Sequence, residues 1–211
     1  MTDLRPTVFV IDDDASVCKS LSRLLRAAGH ETETFASAEA FLKHEHYDGV
    51  GCIILDVRMP GLSGMDLQDE LNEADYSMPI IFITGYGNIP MSVQAMKKGA
   101  VDFLPKPFDD EELLQAVEKA IEKDRKAKVE RAELHGIQKR MERLTPREYE
   151  ILSYVVTGML NKQIALKLDI AEKTVKVHRG RVMEKLGADS VAELVRLAEK
   201  AGIESPGLEK K

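Results

Sequence analysis

Asp12, Asp13, Asp14, Asp56, Thr84 and Lys106 are the residues of this chain whose types could together handle a phosphoryl group. Carboxylates brought together repel, by about 4 kcal/mol per pair at ~4 Å under an effective dielectric near 20, so something cationic must resolve the cluster. A hard divalent ion such as Mg2+ suits oxygen ligands and retains several waters, and the Lys106 ammonium adds a permanent positive charge. Asp56 stands apart from the run of three and is free to attack phosphorus. Such attack on a phosphoryl donor gives an aspartyl phosphate, with metal and ammonium offsetting the charge gathering on the transferring oxygens. Thr84 is suited to hydrogen-bond a phosphoryl oxygen once it arrives.

These residues meet only if short apolar runs bring them together. VFVI precedes Asp12, CIIL precedes Asp56, IIFI precedes Thr84, and Lys106 follows the weaker run VDFL. Runs of this length between helix-patterned stretches read as parallel strands of an α/β sheet, whose carboxyl ends converge on one crevice. Between them, ASVCKSLSRLLRAAG has apolar residues at helical spacing and stops at Gly29. Thr34 and Phe35 close a weak second strand, and Ser37 is the expected cap of a short helix. A loop with Pro60, Gly61 and Gly64 leads to a helix over Met65–Ala74. Gly85 and Gly87 lead to another over Met91–Lys98, and a last strand, Val101–Leu104, opens into the helix ELLQAVEKAIEK.

The net charge of -6 is unevenly distributed. Residues 1–120 carry 10 Lys and Arg against 21 Asp and Glu, whereas residues 121–211 carry 20 against 15, so the two halves suit different partners. Cys18 and Cys52 match no metal or redox spacing and are expected as buried reduced thiols. No apolar run approaches ~18 residues and MTDLRPT has no charged and apolar leader, so the expectation is a cytoplasmic protein with no membrane contact.

From Glu122 to Arg143 the chain is rich in charge and free of proline. Leu134, Ile137, Met141 and Leu144 fall at spacings of three and four, which fits either a short coiled-coil seam or a solvated helical linker. Thr145, Pro146 and Glu148 then form a complete helix start. Four helices are expected over Pro146–Thr157, Asn161–Leu168, Glu172–Leu186 and Val191–Lys200, with SPGLEKK as a disordered tail. In the third, Val175, Val182 and Leu186 mark a buried face, while Lys173, Lys176, Val177 and Gly180 lie elsewhere. A basic helix of this kind can lie in the major groove, held there by a preceding scaffold helix, here NKQIALKL.

VFVIDDD, CIILDVRMPGLSG, IIFITGYG and FLPKPF together resemble the receiver domain of bacterial response regulators, over residues 6 to 122. The resemblance implies a five-stranded, parallel, doubly wound, flavodoxin-like fold with Asp56 as phosphoacceptor. It implies Asp13 as direct Mg2+ ligand, Asp12 as ligand directly or through water, and the Arg58 carbonyl as a further ligand beside Asp56. Thr84 and Lys106 would bind the phosphoryl group, with a cis peptide before Pro107. Phe103 occupies the aromatic switch position, where a ring turns inward as Thr84 moves; read by itself it is simply a strand residue. Asp14 reads as a turn residue or helix cap. Phosphatases of α/β type also use a nucleophilic aspartate with Mg2+, but carry it after the first strand in a DxD pattern that is absent here.

LTPREYEIL and NKQIALKLDIAEKTVKVHRGRVMEKLGADS resemble the LuxR-type output domain of NarL and FixJ regulators, over about residues 143 to 201. That implies a small all-α four-helix domain with a helix-turn-helix. Lys176 and Val177 would face bases, Lys173 and Arg179 would lie near phosphates or bases, and Thr174, Asn161 and Lys162 would anchor the DNA backbone. Gly180 departs from regulators with lysine there, which puts a base contact at that position in doubt. His178 reads as a packed histidine. TGYGNIPMSVQAMKKGAVDFLPKPF is most similar to the FixJ subgroup, which implies dimerisation on phosphorylation through the surface carrying Val93 and Lys97.

The domain organisation expected from these readings is a receiver over 1–122, a helical linker over 123–142 and a DNA-binding domain over 143–211. The function expected is that of a transcriptional response regulator: no enzyme toward other substrates, but a protein that promotes its own aspartyl phosphorylation and dephosphorylation. The partners implied are a sensor histidine kinase, double-stranded promoter DNA and a second copy of the chain. A receiver signalling through protein contacts, with its output domain on RNA polymerase and little specific DNA binding, is the alternative.

Overall fold

The structure, a computed structural model, describes residues 5–74, 76–85 and 89–203. The chain divides into two compact units, Met1–Lys128 and Val129–Lys211. Gly87, expected in the loop after the fourth strand, and the tail SPGLEKK lie outside the described residues.

In the first unit β1 (Thr7–Ile11), β2 (Glu31–Phe35), β3 (Gly51–Asp56), β4 (Ile80–Thr84) and β5 (Asp102–Pro105) form one sheet in the order β2-β1-β3-β4-β5. All four pairings are parallel. The helices α1 (Ala15–Ala27), α2 (Ala38–Leu42), α3 (Gly64–Glu73), α4 (Ile89–Lys97) and the first half of α5 (Asp110–Met141) cover the two faces. Every residue of β1 and β3 is buried, as expected of central strands covered on both sides, and successive side chains alternate between two cores. Val8, Val10, Ile54 and Ile83 pack with Leu21 and Leu25 of α1 and with Leu113 and Val117 of α5. Phe9, Ile11, Ile53, Leu55 and Phe82 pack with Phe41 of α2 and with Leu67 and Leu71 of α3. This is the doubly wound, flavodoxin-like arrangement, with β1 and β3 at the position where the strand order reverses.

Local chemistry sets the boundaries. Asp14 caps α1 by accepting the Ser16 N–H at 2.7 Å, Ser37 caps α2, and Ser63 with Asp66 forms a capping box on α3. A Cβ on Gly64 would run into the Asp56 carbonyl, so only glycine lets α3 start this close to the end of β3. Strand β5 lies one residue later than expected, with Val101 joining the core ahead of it. Helix α4 begins at Ile89 rather than Met91. At the opposite end of β3 from Asp56, buried Asp124 of α5 accepts the Gly51 N–H at 2.9 Å and the Lys128 ammonium at 2.9 Å. Lys128 also donates to the Gly49 carbonyl.

The second unit contains the end of α5 and the helices α6 (Pro146–Val155), α7 (Asn161–Leu168), α8 (Glu172–Leu186) and α9 (Val191–Lys200). Ile151, Leu152, Ile164, Val175, Val182, Leu186 and Leu194 form its core. Of the four residues spaced as either a coiled-coil seam or a solvated linker, Ile137 is fully buried, Met141 and Leu144 pack on the helical core, and Leu134 is exposed. Apolar contacts within one chain took positions that the spacing alone left available to a second. Asp169 ends α7 in the left-handed region at φ 50°, turning the chain into α8.

Glu148 completes the α6 capping box with Thr145, and its carboxylate accepts the Lys185 ammonium of α8 at 2.6 Å and the Thr145 N–H at 2.9 Å. Lys185 also donates to the Arg143 carbonyl at 3.0 Å. The ammonium, then the amide, hold the buried Glu148 carboxyl down to about 2 from its ordinary 4.5. A depressed carboxylate stabilises the fold above its unfolded value, and that stability is lost as pH falls through the folded value. The second unit is therefore expected to lose on the order of 2 kcal/mol between pH 4.5 and about 2, and Glu148→Gln should flatten the slope in that window. Urea unfolding followed across this pH range checks both.

Candidate functional site

The parallel register places the ends of β1, β3 and β4 side by side, with Ile11 beside Leu55 and Asp56 beside Ile83. Asp12, Asp56 and Thr84 are all buried where those strands stop, while Asp13 and Asp14 are exposed. Lys106 reaches in from the segment after β5. Its ammonium lies 2.6 Å from Asp12 Oδ2 and 2.8 Å from Asp56 Oδ1. Its own N–H donates to the Thr84 carbonyl at 2.7 Å, and the Lys106–Pro107 peptide is cis.

The second oxygens of the pair are also held. Asp12 Oδ1 accepts the Asp14 N–H at 2.9 Å, and Asp56 Oδ2 accepts the Arg58 N–H at 2.7 Å. Burial raises the Asp12 carboxyl above its ordinary value, against the lowering effect of Lys106 and the Asp14 amide. Burial disfavours the Lys106 charge as well, but the two carboxylates outweigh it and its pKa is raised. One ammonium shared between two carboxylates leaves a negative surplus in a low-dielectric pocket.

Among the described residues, no three His, Cys, Asp or Glu side chains converge as a metal-holding group. Asp12 and Asp56 close on Lys106, and Asp13 is exposed. The donors available are nevertheless all oxygen and carry surplus negative charge, which fits a hard divalent cation. Phe103 is half-buried on β5, its ring tilted against Phe82 at 6.1 Å between centroids. On α4, Val93 and Lys97 are both exposed.

Several contacts here had no signal in the sequence. Glu39 of α2 accepts the Leu62 N–H at 3.0 Å and so steadies the loop after Asp56. The Cys18 thiol, raised by burial, donates to the Asp12 carbonyl at 3.3 Å, and Cys52 is buried in the sheet. Both cysteines are free, as their spacing suggested.

In the second unit the exposed face of α8 carries Lys173, Thr174, Lys176, Val177 and Gly180, opposite buried Val175, Val182 and Leu186. Arg179 donates to Asn161 Oδ1 at 2.9 Å, which ties α8 to the first residue of α7, beside exposed Lys162. His178 is half-buried, and its Nδ1 is enclosed without a partner among the described residues, in line with the packed reading. No helix among the described residues is long and apolar enough to cross a membrane.

The sequence profile described as "Response regulator receiver domain" matches residues 8–118, and that described as "Bacterial regulatory proteins, luxR family" matches residues 142–198. Nodulation protein W of Bradyrhizobium diazoefficiens is 50% identical over 196 residues, which cover 93% of this chain and 86% of that protein. The solved structure of response regulator StyR is similar at a TM-score of 0.84 and 48% identity, covering 93% of this chain and 99% of that one. Full-length FixJ from B. japonicum is similar at a TM-score of 0.57 and 42% identity, covering 94% and 98%.

Because Asp12 is a buried carboxylate with only a half share of one cation, removing its charge should relieve the pocket. Asp12→Asn is expected to stabilise the first unit by about 1–2 kcal/mol at neutral pH without divalent ions. Urea unfolding in chelator checks this; a less stable variant would mean that the pair with Lys106 outweighs the cost of burial.

Proposed function

This chain belongs to the two-component response regulators in which a receiver domain is joined to a LuxR-type output domain, and on that premise we propose that Asp56 is the phosphoacceptor that controls DNA binding. As a member it is a transcriptional regulator whose state depends on phosphorylation. The observation that carries the assignment of Asp56 is the Lys106 ammonium lying on both Asp56 and Asp12 at the mouth of the sheet.

A sensor histidine kinase is the proposed donor. An Asp56 oxygen attacks the phosphorus, the bond from phosphorus to the donor nitrogen breaks, and the donor keeps that electron pair. Lys106 then faces a phosphoryl oxygen, and the Thr84 hydroxyl donates to another. Mg2+ would be held by Asp12, Asp13, Asp56 and the Arg58 carbonyl, and when bound it offsets charge on the phosphoryl oxygens. As Thr84 moves toward the new group, Phe103 turns inward and changes the surface of α4 and β5. Val93 and Lys97 lie on that surface, which we assign to pairing with a second copy.

We assign the receiver to residues 1–122, the linker to 123–142 and the DNA-binding domain to 143–211, and we place the protein in the cytoplasm. In the output domain α8 enters the major groove. Lys176 and Val177 face bases, Lys173 and Arg179 lie near phosphates or bases, and Thr174, Asn161 and Lys162 fix the backbone. Two copies would read paired half-sites, with RNA polymerase as a further partner.

Incubation with acetyl phosphate and Mg2+ should give one phosphoryl adduct by intact mass spectrometry, absent in Asp56→Asn; turnover of added phosphoesters would support a phosphatase instead. Lys176→Ala should cost about 1–3 kcal/mol of discrimination at one base position, read by footprinting and titration against altered duplexes. An unchanged footprint and affinity would remove Lys176 from the base contacts.

A further inference from the structure

Gly180 sits in the middle of α8, where glycine is the weakest helix former after proline. Nothing among the described residues requires it. Its φ lies outside the left-handed region that favours glycine, and a Cβ built there meets nothing within 4 Å. The residue is exposed, so no packing would be lost by adding a side chain.

Its position on the helix gives it meaning. At about 100° per residue, Lys173, Lys176, Val177 and Gly180 form one stripe, opposite the buried Val175, Val182 and Leu186. The gap left by the missing side chain therefore opens on the face that the fold leaves free. What sets this glycine apart is that the gap falls on the face that carries Lys173, Lys176 and Val177.

We propose that Gly180 is the point of closest approach between α8 and duplex DNA, where the helix backbone lies against base edges in the major groove and a side chain is excluded. The inference rests on the DNA-binding reading above and adds to it a determinant made of absence. A methyl group at this point holds the helix off the groove floor and draws Lys176 and Val177 out of reach together.

Gly136 of α5 supplies an internal control. It too is exposed within a helix, and its Cβ would meet nothing, but it lies outside α8. The full-length chain, phosphorylated with acetyl phosphate and Mg2+, is used to recover preferred duplexes from a randomised library. Affinity for the recovered duplex and thermal unfolding are then measured for the wild type, Gly180→Ala and Gly136→Ala.

Both variants should raise the melting temperature by about 2–4 °C, because alanine replaces glycine in a helix without a clash. Gly180→Ala should bind the recovered duplex roughly tenfold more weakly, and Gly136→Ala within about twofold of the wild type. Unchanged affinity in Gly180→Ala overturns the proposal. So does an equal loss in Gly136→Ala, which would assign the effect to helix stiffness, or a lower melting temperature in Gly180→Ala, which would mean an internal clash. Recovery of no preferred duplex by the wild type overturns the DNA-binding reading itself, an outcome distinct from a recovered duplex that Gly180→Ala binds unchanged.

Discussion

One ammonium serves two buried carboxylates, and much of the first unit is arranged around that constraint. Lys106 lies within 2.8 Å of both Asp12 and Asp56, and backbone amides from Asp14 and Arg58 take up the remaining oxygens. Such a cluster is costly to bury and persists only because strong local interactions hold each group in place. The apolar strands do that holding. They supply the stability against which a charged, incompletely neutralised pocket can be maintained, and they fix its members to adjacent strand ends.

The second unit solves a different problem with a related device. Its helices are short, and isolated helices of such length are marginal in water. The Glu148–Lys185 pair ties the start of α6 to the end of α8, while Arg140 donates to the Leu186 carbonyl at 2.7 Å where α8 ends. Here a buried carboxylate has a full cationic partner and an amide, so its charge is favoured. In the pocket of Asp12 the charge is disfavoured. The same residue chemistry thus makes a brace in one unit and an incompletely neutralised pocket in the other.

Much of this was legible in the sequence because it depends on local signals. Apolar runs ending in Asp12, Asp56 and Thr84 gave three strand ends correctly, and the hydroxyl caps Ser37 and Thr145 opened helices where expected. The end of α8 at Gly187 and the start of α9 after Ser190 carry such signals, whereas α7 and α8 open after Leu160 and Ala171 without a side-chain cap. What was not legible depends on distance in space. No local pattern reveals that Glu39 would hold Leu62, that Asp124 would bind Gly51, or that Ile137 and Met141 would be used inside the chain. At the start of α9 Ser190 accepts the Glu193 N–H, but the Glu193 carboxylate turns to the Asp189 N–H rather than to that of Ser190, so the Ser-x-x-Glu spacing makes only half of a capping box.

Strand β3 is gripped at both ends. At one, Asp56 is fixed by Lys106 and by the Arg58 amide; at the other, the Gly51 amide is bound by Asp124 of α5, with Lys128 closing over Gly49. The strand therefore works like a tie rod between the pocket and a helix rooted on the far side of the sheet. Asp56 and α5 are thus joined through one strand and one carboxylate, with no loop between them.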